Sequence, residues 1–341
     1  MKKVGLIGCG FMGGMHAQIY RQLNDVELVA AVGLEPELAR AKLLKMGWDV
    51  PIYGDLEQLL ARHEVDVIDI CTPTDEHAVL AKTAIRAGKH LFCEKPLALT
   101  LEEAESIESE AEAAGIFAQV GHCIRFWPEY MALRKFADSG RGGKLLNLHL
   151  VRRASRPAYS ENNWLNLPHR SGGAALDLHI HDTDFVHHLL GQPTAVTSRM
   201  SEGKFGPDHI HTLYHFDDCV VSAEGGWNYP PQWGFQMAFD AVFEKAAISY
   251  DSLRKDSLLI TLESGETQPM PFEEPSSGHS SVGEGNLSSL SGYFNELQYF
   301  FACLKENRRP EVATLRQACI SLKTTLTEIR SARLGQTLAL K

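Results

Sequence analysis

The chain has 341 residues, of which 44% are hydrophobic, and its formal net charge is −10. That length favours two domains with an ample core, and the acidic balance argues against a nucleic-acid-binding surface, which needs a basic face. We find no apolar run long enough to span a membrane and no signal-peptide pattern at the N-terminus. Seven cysteines without metal-type spacing predict reduced thiols and a cytoplasmic location.

A glycine-rich turn opens the chain. A strand pattern at Lys3–Ile7 runs into Gly8-Cys9-Gly10-Phe11-Met12-Gly13, and residues 14–23 read as a helix. Gly8 permits the tight turn, Gly10 lets the backbone approach a pyrophosphate, and Gly13 lets helix and strand pack closely. The helix N-terminus would present free N–H groups to the phosphates. The pattern therefore predicts a bound dinucleotide.

Strands and helices alternate through the first 120 residues, which predicts a doubly wound parallel sheet. We expect strands at Glu27–Val32, Val65–Cys71, His90–Cys93 and Phe117–Gly121, and helices at Pro36–Met46, Glu76–Ala87 and Leu101–Ala114.

Beyond residue 123 the pattern changes to successive strands with short turns, typical of an antiparallel sheet. A helix near Tyr130–Ser139 and a strand at Lys144–Ala154 come first, and two helices, Gly292–Lys305 and Leu315–Ala332, close the chain. Residues 264–288 are rich in Ser, Gly, Pro and Glu and predict a mobile surface loop.

Two motifs follow apolar strands, where ligands bind in open α/β sheets. Cys71-Thr72-Pro73-Thr74 could line the nicotinamide side, or could be an ordinary turn. Glu94-Lys95-Pro96 could place a lysine ammonium near a substrate hydroxyl and favour its alkoxide, although a lone lysine is also a common surface residue.

A third motif extends from Ser171 to Asp184. Its apolar spacing predicts a helix ending at Gly191, on which Asp177 and His181 share a face at i and i+4. The carboxylate could orient the imidazole, which is suited to accept a hydroxyl proton near neutrality. Two alternatives remain open: a structural His181, and a metal site built on His179 and His181. We expect no metal.

Taken together, the glycine turn, Glu94-Lys95-Pro96, the stretch Gly172–His181 and the crossover Gly121–Pro128 resemble the Gfo/Idh/MocA family of NAD(P)-dependent oxidoreductases. The resemblance implies an N-terminal Rossmann domain at residues 1–122. It also implies a C-terminal α/β domain at residues 123–341 with a large open, mainly antiparallel sheet that carries the oligomer interface.

The resemblance further implies site residues. His181 would be the acid/base, Lys95 would polarise the reacting oxygen, and Asp177 would orient the imidazole. The substrate-binding residues would be His122, Arg125, Trp164 and His181. With the motifs above, the expected cofactor-binding residues are Gly8, Gly10, Phe11, Met12, Gly13, Glu35, Thr72, Pro73, Thr74, His77, Glu94 and Lys95.

The acidic residue that family members often carry after the second strand falls near Leu34, with Glu35 one position later. No Lys or Arg lies between Gly33 and Ala39 to receive a 2′-phosphate, which favours NAD over NADP. We therefore expect a dehydrogenase that acts on a sugar, polyol or related secondary alcohol, forms a homodimer or homotetramer, and has no nucleic-acid or membrane partner. The alternatives are an NAD-dependent glycoside hydrolase and a non-enzymatic NAD- or sugar-binding regulator.

Overall fold

A computed structural model describes residues 1–274 and 290–340. Its first sheet has six parallel strands in the order β3-β2-β1-β4-β5-β6. The strands are Lys2–Ile7 (β1), Val26–Val32 (β2), Ile52–Tyr53 (β3), Val67–Ile70 (β4), His90–Cys93 (β5) and Ala118–Val120 (β6). The helices between them are Phe11–Tyr20 (α1), Pro36–Lys45 (α2), Leu56–Arg62 (α3), Thr74–Arg86 (α4) and Leu101–Ala114 (α5).

Local chemistry explains these boundaries. All four residues of β4 are buried, as in a strand that is covered on both faces. Helix α5 begins at a capping box between Thr100 and Glu103 and ends at Gly115, which adopts the left-handed conformation that glycine tolerates. The predicted doubly wound parallel sheet is thus present.

The second sheet has nine strands in the order β14-β13-β12-β11-β7-β10-β9-β8-β15. Within this second sheet, β7 and β10 pair in parallel, and every other pair of described neighbouring strands is antiparallel. The strands are Leu145–Ser155 (β7), Ala195–Gly203 (β8), Gly206–His215 (β9), Val220–Tyr229 (β10), Phe235–Phe243 (β11), Ala246–Asp251 (β12), Leu258–Leu262 (β13), Thr267–Pro269 (β14) and Leu338–Ala339 (β15).

Helices cover one face of this large sheet. The helices in this part of the chain are Pro128–Asp138 (α6), Pro168–Ser171 (α7), Ala174–Asp177 (α8), Ile180–Leu190 (α9), Ser291–Lys305 (α10) and Leu315–Leu334 (α11), with 3-10 turns at Cys123–Phe126 and Glu161–Asn166, and α8, α9 and α11 are among those that contact the sheet. Tyr130 of α6 packs edge-on against Phe239 and Tyr250 of the sheet. On the opposite face, Leu213 and Val220 are exposed.

The last two helices of the chain also contact the helices that cover the first sheet. Phe301 of α10 packs on Tyr20 of α1, and Arg316 of α11 lies 3.8 Å from Glu108 of α5.

Two expectations need correction. The loop expected at residues 264–288 contains strand β14, which pairs with β13, and residues 275–288 lie outside the described residues. The single helix expected around Asp177 and His181 is two helices, because the His179 N–H bonds the carbonyl of Ala174, five residues back. This widened turn interrupts the regular i to i+4 spacing.

Candidate functional site

The glycine turn closes as its sequence predicts. Gly8 has a φ of +95°, and a Cβ there would lie 2.6 Å from the carbonyl oxygen of Cys71. A Cβ on Gly13 would collide with the carbonyl oxygen of Gly8. Both positions therefore exclude a side chain.

Gly10 differs, because a Cβ there would meet no atom within 4 Å. It caps α1 without a side-chain hydrogen bond, and the first turn carries no acidic residue. The free N–H groups of the helix thus open onto the cleft, an arrangement that fits a pyrophosphate. Phe11 and Met12 line the same cleft.

The far end of this cleft is bounded by Leu34 and Glu35, both exposed at the start of α2. Lys42 of α2 also lines it and forms a 2.6 Å ion pair with Glu161 of the other domain. Arg40 instead pairs with Asp49 at 3.2 Å.

The two strand-end motifs reach the cleft only in part. Thr72 and Pro73 line it, whereas Thr74 is buried. His77 is also buried and bridges two loops, with Nδ1 2.8 Å from the Pro96 carbonyl and Nε2 3.0 Å from the Thr72 carbonyl. The structure therefore places Thr74 and His77 behind the cleft wall, and His77 braces the loop that follows β5.

Lys95 projects from the end of β5 into the cleft. Its Nζ donates to the Asp177 backbone carbonyl at 2.9 Å and to Asp177 Oδ1 at 3.2 Å. Glu94 accepts from the Lys95 backbone N–H at 3.2 Å, and its other oxygen lies 3.2 Å from His16 Nε2. Glu94 thus fixes the backbone from which the lysine extends.

Asp177 is the partner of Lys95, and no hydrogen bond joins it to His181 among the described residues. The expected orienting contact between carboxylate and imidazole is therefore wrong for this conformation. A widened turn at His179 lies between the two residues, so their spacing is not that of one regular helix.

His181 is buried but lines the cleft. Burial lowers its pKa well below the usual value, and the positive charges of Lys95 and Arg152 lower that pKa further. The ring is consequently neutral near pH 7, and its Nδ1 has no hydrogen-bond partner among the described residues. A neutral imidazole can accept a proton.

The structure does not bring His122 and Arg125 into the cleft. Arg125 is buried and makes two 2.7 Å hydrogen bonds to Asp184. Burial lowers the pKa of His122 to about 4. Both belong to the layer between the 3-10 turn and α9, and their assignment to the substrate stays a prediction that this geometry does not favour. Trp164 does line the cleft.

Sequence reasoning missed several polar residues that line the cleft, and Arg152 is the most deeply buried charged one. Arg152 of β7 lines it and makes two 2.9 Å hydrogen bonds to Asp182, and both are almost fully buried. A signal was available, because Arg152 follows Leu148 and Leu150 at the core-facing spacing of a strand.

The metal alternative gains no geometric support from this cleft. His179 Nε2 lies 2.9 Å from Glu328 Oε2, beneath the sheet. Among residues 1–274 and 290–340, groups of His, Cys, Asp and Glu close enough to share an ion occur elsewhere, and none contains His181.

Comparisons with known proteins agree with this geometry. Residues 2–122 match a family model described as an oxidoreductase family with an NAD-binding Rossmann fold, and residues 130–249 match the GFO/IDH/MocA C-terminal domain. An inositol 2-dehydrogenase of Rhizobium meliloti is 35% identical over 78% of this chain and 81% of its own. The chain belongs to the Gfo/Idh/MocA family. It is therefore an NAD-dependent oxidoreductase, as its motifs predicted.

Further relatives include a myo-inositol 2-dehydrogenase of Thermotoga maritima, 26% identical over 77% of this chain and 79% of that protein. A levoglucosan dehydrogenase solved with NADH and levoglucosan has the same fold, with a TM-score of 0.83, 23% identity and 99% of each chain covered. An oxidoreductase from Agrobacterium radiobacter, solved with NAD+, L-tartaric acid and magnesium, has a TM-score of 0.85 at 20% identity and covers 99% of this chain and 98% of its own. None of these relatives is named as a glycoside hydrolase or a regulator.

No helix among the described residues is both long and apolar enough to cross a membrane.

Proposed function

We propose that this enzyme oxidises a secondary alcohol of a sugar or polyol and that Lys95, Asp177 and His181 carry the reaction. The observation that supports this most strongly is their convergence in the same cleft that the glycine turn lines. Relatives named as inositol 2-dehydrogenases favour the same substrate class.

Each residue has a distinct role in this proposal. Neutral His181 takes the hydroxyl proton as the alcohol C–H and O–H bonds break and the carbonyl forms. The Lys95 ammonium stabilises negative charge developing on the reacting oxygen, and Asp177 holds that ammonium in place. The nicotinamide, when bound, supplies the acceptor for the hydride.

Dinucleotide binding in this proposal relies on Gly8, Gly10 and Gly13 for the pyrophosphate, and on Phe11, Met12, Thr72, Pro73 and Glu94 for the cleft walls. We further propose that NAD is preferred over NADP. Glu35 lies at the ribose end of the cleft, where its carboxylate would accept hydrogen bonds from ribose hydroxyls and repel a 2′-phosphate. In Glu35→Ser, the preference for NAD should shrink.

A panel of sugars and polyols, assayed by NADH or NADPH absorbance with both cofactors in parallel, tests the function. Oxidation of at least one member, with NAD favoured, is the expected result. No reduction of either cofactor by any member would refute the proposal.

We also propose the division into domains at residues 1–122 and 123–341, and a homodimer or homotetramer formed through the C-terminal sheet. The supporting feature is the sheet's uncovered face, on which Leu213, Val220 and Val242 are exposed. A cytoplasmic location is proposed from the seven free cysteines, six of them buried. Light scattering of the purified protein tests the oligomer.

A further inference from the structure

A buried cluster of charged groups leads to the backbone of Lys95. At its centre is His16 of helix α1, whose side chain is fully buried. Its Nδ1 lies 2.8 Å from Asp69 Oδ2 on β4, at hydrogen-bond distance. Its Nε2 lies 3.2 Å from Oε1 of Glu94, the residue that follows β5, as an ion pair without hydrogen-bond geometry. The imidazole thus connects α1 with two neighbouring strands of the first sheet.

The surroundings of His16 favour its protonated form. Burial alone would lower its pKa, but the interactions with Asp69 and Cys71 together outweigh burial, and the pKa lies well above its usual value. Tyr20 also donates to Asp69, and the Cys71 sulfur lies 3.3 Å from Nδ1. Burial raises the pKa values of Tyr20 and Cys71, so both stay neutral. His16 is therefore an imidazolium near pH 7, between the carboxyl groups of Asp69 and Glu94.

Glu296 of α10 faces the same cluster. One oxygen of Glu296, one of Glu94 and a ring nitrogen of His16 lie within 4.8 Å of one another. Burial, and then the charge of Glu94, raise the pKa of Glu296 well above its usual value, so this carboxyl is protonated. The charge that faces the imidazolium on its Nε2 side is consequently that of Glu94.

Glu94 connects this charge to the backbone of the active site. Its Oε2 accepts from the Lys95 backbone N–H at 3.2 Å. The carboxylate also lies against Gly121, where a Cβ would come within 3.0 Å of the carboxyl carbon and of Oε1. Gly121 and His16 therefore hold the carboxylate from two sides, and the carboxylate in turn holds the Lys95 backbone.

Loss of the imidazolium would leave the buried Asp69 and Glu94 carboxylates without this cation. A buried carboxylate that loses its partner takes up a proton or moves towards water. Glu94 lines the cleft, so it has a route to water there. Either change would weaken its hold on the Lys95 N–H.

We propose that His16 is a positioning residue of the reaction. Through Glu94 it fixes the backbone of Lys95 at the place from which the ammonium reaches Asp177. The inference rests on the proposed dehydrogenase function, in which Lys95 acts on the reacting oxygen. It also gives helix α1 two roles, because the N-terminus of the same helix is the part that would bind the pyrophosphate.

The first test replaces Asp69 by asparagine in the full-length enzyme, which keeps the shape of the cluster. Without the Asp69 charge the pKa of His16 should fall, so that the ring is neutral at about pH 8 and protonated again towards about pH 5.5. With the panel member that is oxidised fastest, kcat at the higher pH should fall about 10- to 100-fold. As pH is lowered, the ratio of variant to unmodified kcat should rise.

The direction of this pH dependence identifies the group that acts. Protonation of Glu94 would move the ratio the opposite way, and the titration of His181 is common to both enzymes. Tyr20, Cys71 and Glu296, which also face the ring, keep their protons through this range. A ratio that stays constant, or that falls as pH is lowered, would overturn the inference.

The second test is a double-mutant cycle between His16→Gln and Glu94→Ala. If His16 acts through Glu94, each single variant lowers kcat about 10- to 100-fold, and the double variant loses little more than either one. Losses that multiply would contradict a shared route. His90→Gln is the matched control, because His90 is a half-buried histidine at the opposite end of β5 whose Nδ1 accepts from the Phe117 N–H at 3.0 Å. It should leave kcat unchanged.

A third measurement needs no substrate. Lys95 is largely buried and paired with Asp177, so its acetylation by dilute acetic anhydride, followed by mass spectrometry, reports whether the lysine stays in place. Relative to the exposed Lys255, Lys95 should react at least about tenfold faster in His16→Gln and in Asp69→Asn than in the unmodified protein. An unchanged rate in both variants would refute the positioning role, whatever the panel shows. A faster rate, with no cofactor reduction by the unmodified protein, would support that role and refute the dehydrogenase function.

Discussion

Replacing Lys95 by methionine removes the ammonium while keeping the length of the side chain. In the structure that ammonium makes two hydrogen bonds to Asp177, at 2.9 and 3.2 Å, and its side chain is 14% exposed. Water is therefore largely kept from the charge, and electrostatic stabilisation is stronger than at the surface.

Loss of one pre-organised donor to a developing oxyanion costs about 10²–10³ in kcat, or about 3–4 kcal/mol of activation free energy. We expect Lys95→Met to lower kcat by that factor. NAD affinity should change little, because the glycine turn and the N-terminus of α1, rather than the ammonium, fit the pyrophosphate. Folding stability should fall by about 1–3 kcal/mol, since Asp177 loses its partner.

The assay combines NADH absorbance for kcat, calorimetry for NAD affinity and urea unfolding for stability. Lys255→Met, which removes an exposed lysine in the β12–β13 turn, is the matched control. A kcat within about threefold of the unmodified enzyme would refute the assigned role. A variant that loses NAD affinity as strongly as kcat would show that Lys95 acts in cofactor binding.

Four further changes test other parts of the structure. Gly13→Ala drives a Cβ into the glycine turn, so NAD titration should show at least about a tenfold loss of affinity. Unchanged affinity would contradict the role of the glycine turn in binding the pyrophosphate. His181→Gln should lower kcat by about 10²–10⁴. It should also remove the acidic limb of the pH–rate profile. In the unmodified enzyme that limb lies well below pH 6.5, because the pKa of His181 is lowered in the folded protein. Arg152→Met leaves the buried Asp182 charge unpaired, and urea unfolding should show a loss of about 3–5 kcal/mol; an unchanged midpoint would refute the burial argument. The pKa of His187 is lowered to about 4 by burial. As pH drops from about 6.5 towards 4, the unfolded state therefore binds the proton first, and the free energy of unfolding falls. Unfolding measured at several pH values should show that His187→Gln reduces the slope of the unfolding free energy against pH by about one proton.

Elements with strong local signals could be predicted from the sequence. Helix α5 has the predicted bounds, Leu101–Ala114, because a capping box and a terminal glycine mark both ends. Strand β5 has its predicted bounds too, and it places Lys95 in the cleft. By contrast, helix α3 went unpredicted, since it is only seven residues long and begins at an Asp55 cap without a clear apolar stripe.

The site itself was less predictable, because its geometry depends on contacts between residues far apart in the chain. Spacing alone paired Asp177 with His181, whereas in the structure the Asp177 carboxylate bonds Lys95, from a distant part of the chain. Arg125 has the residue type of a substrate-binding group, but the buried carboxylate of Asp184 engages it. Nothing in the local pattern reveals such a partner.

The pairing of Lys95 with Asp177 also explains how the two domains act as one site. Lys95 extends from the first sheet, and Asp177 ends a helix packed on the second, so their contact closes the cleft across the domain boundary. Burial, together with the positive charge of Lys95, lowers the pKa of His181 and keeps the ring neutral. In the proposed reaction the glycine turn prepares only the cofactor side, and proton transfer depends on both sheets meeting at this pair.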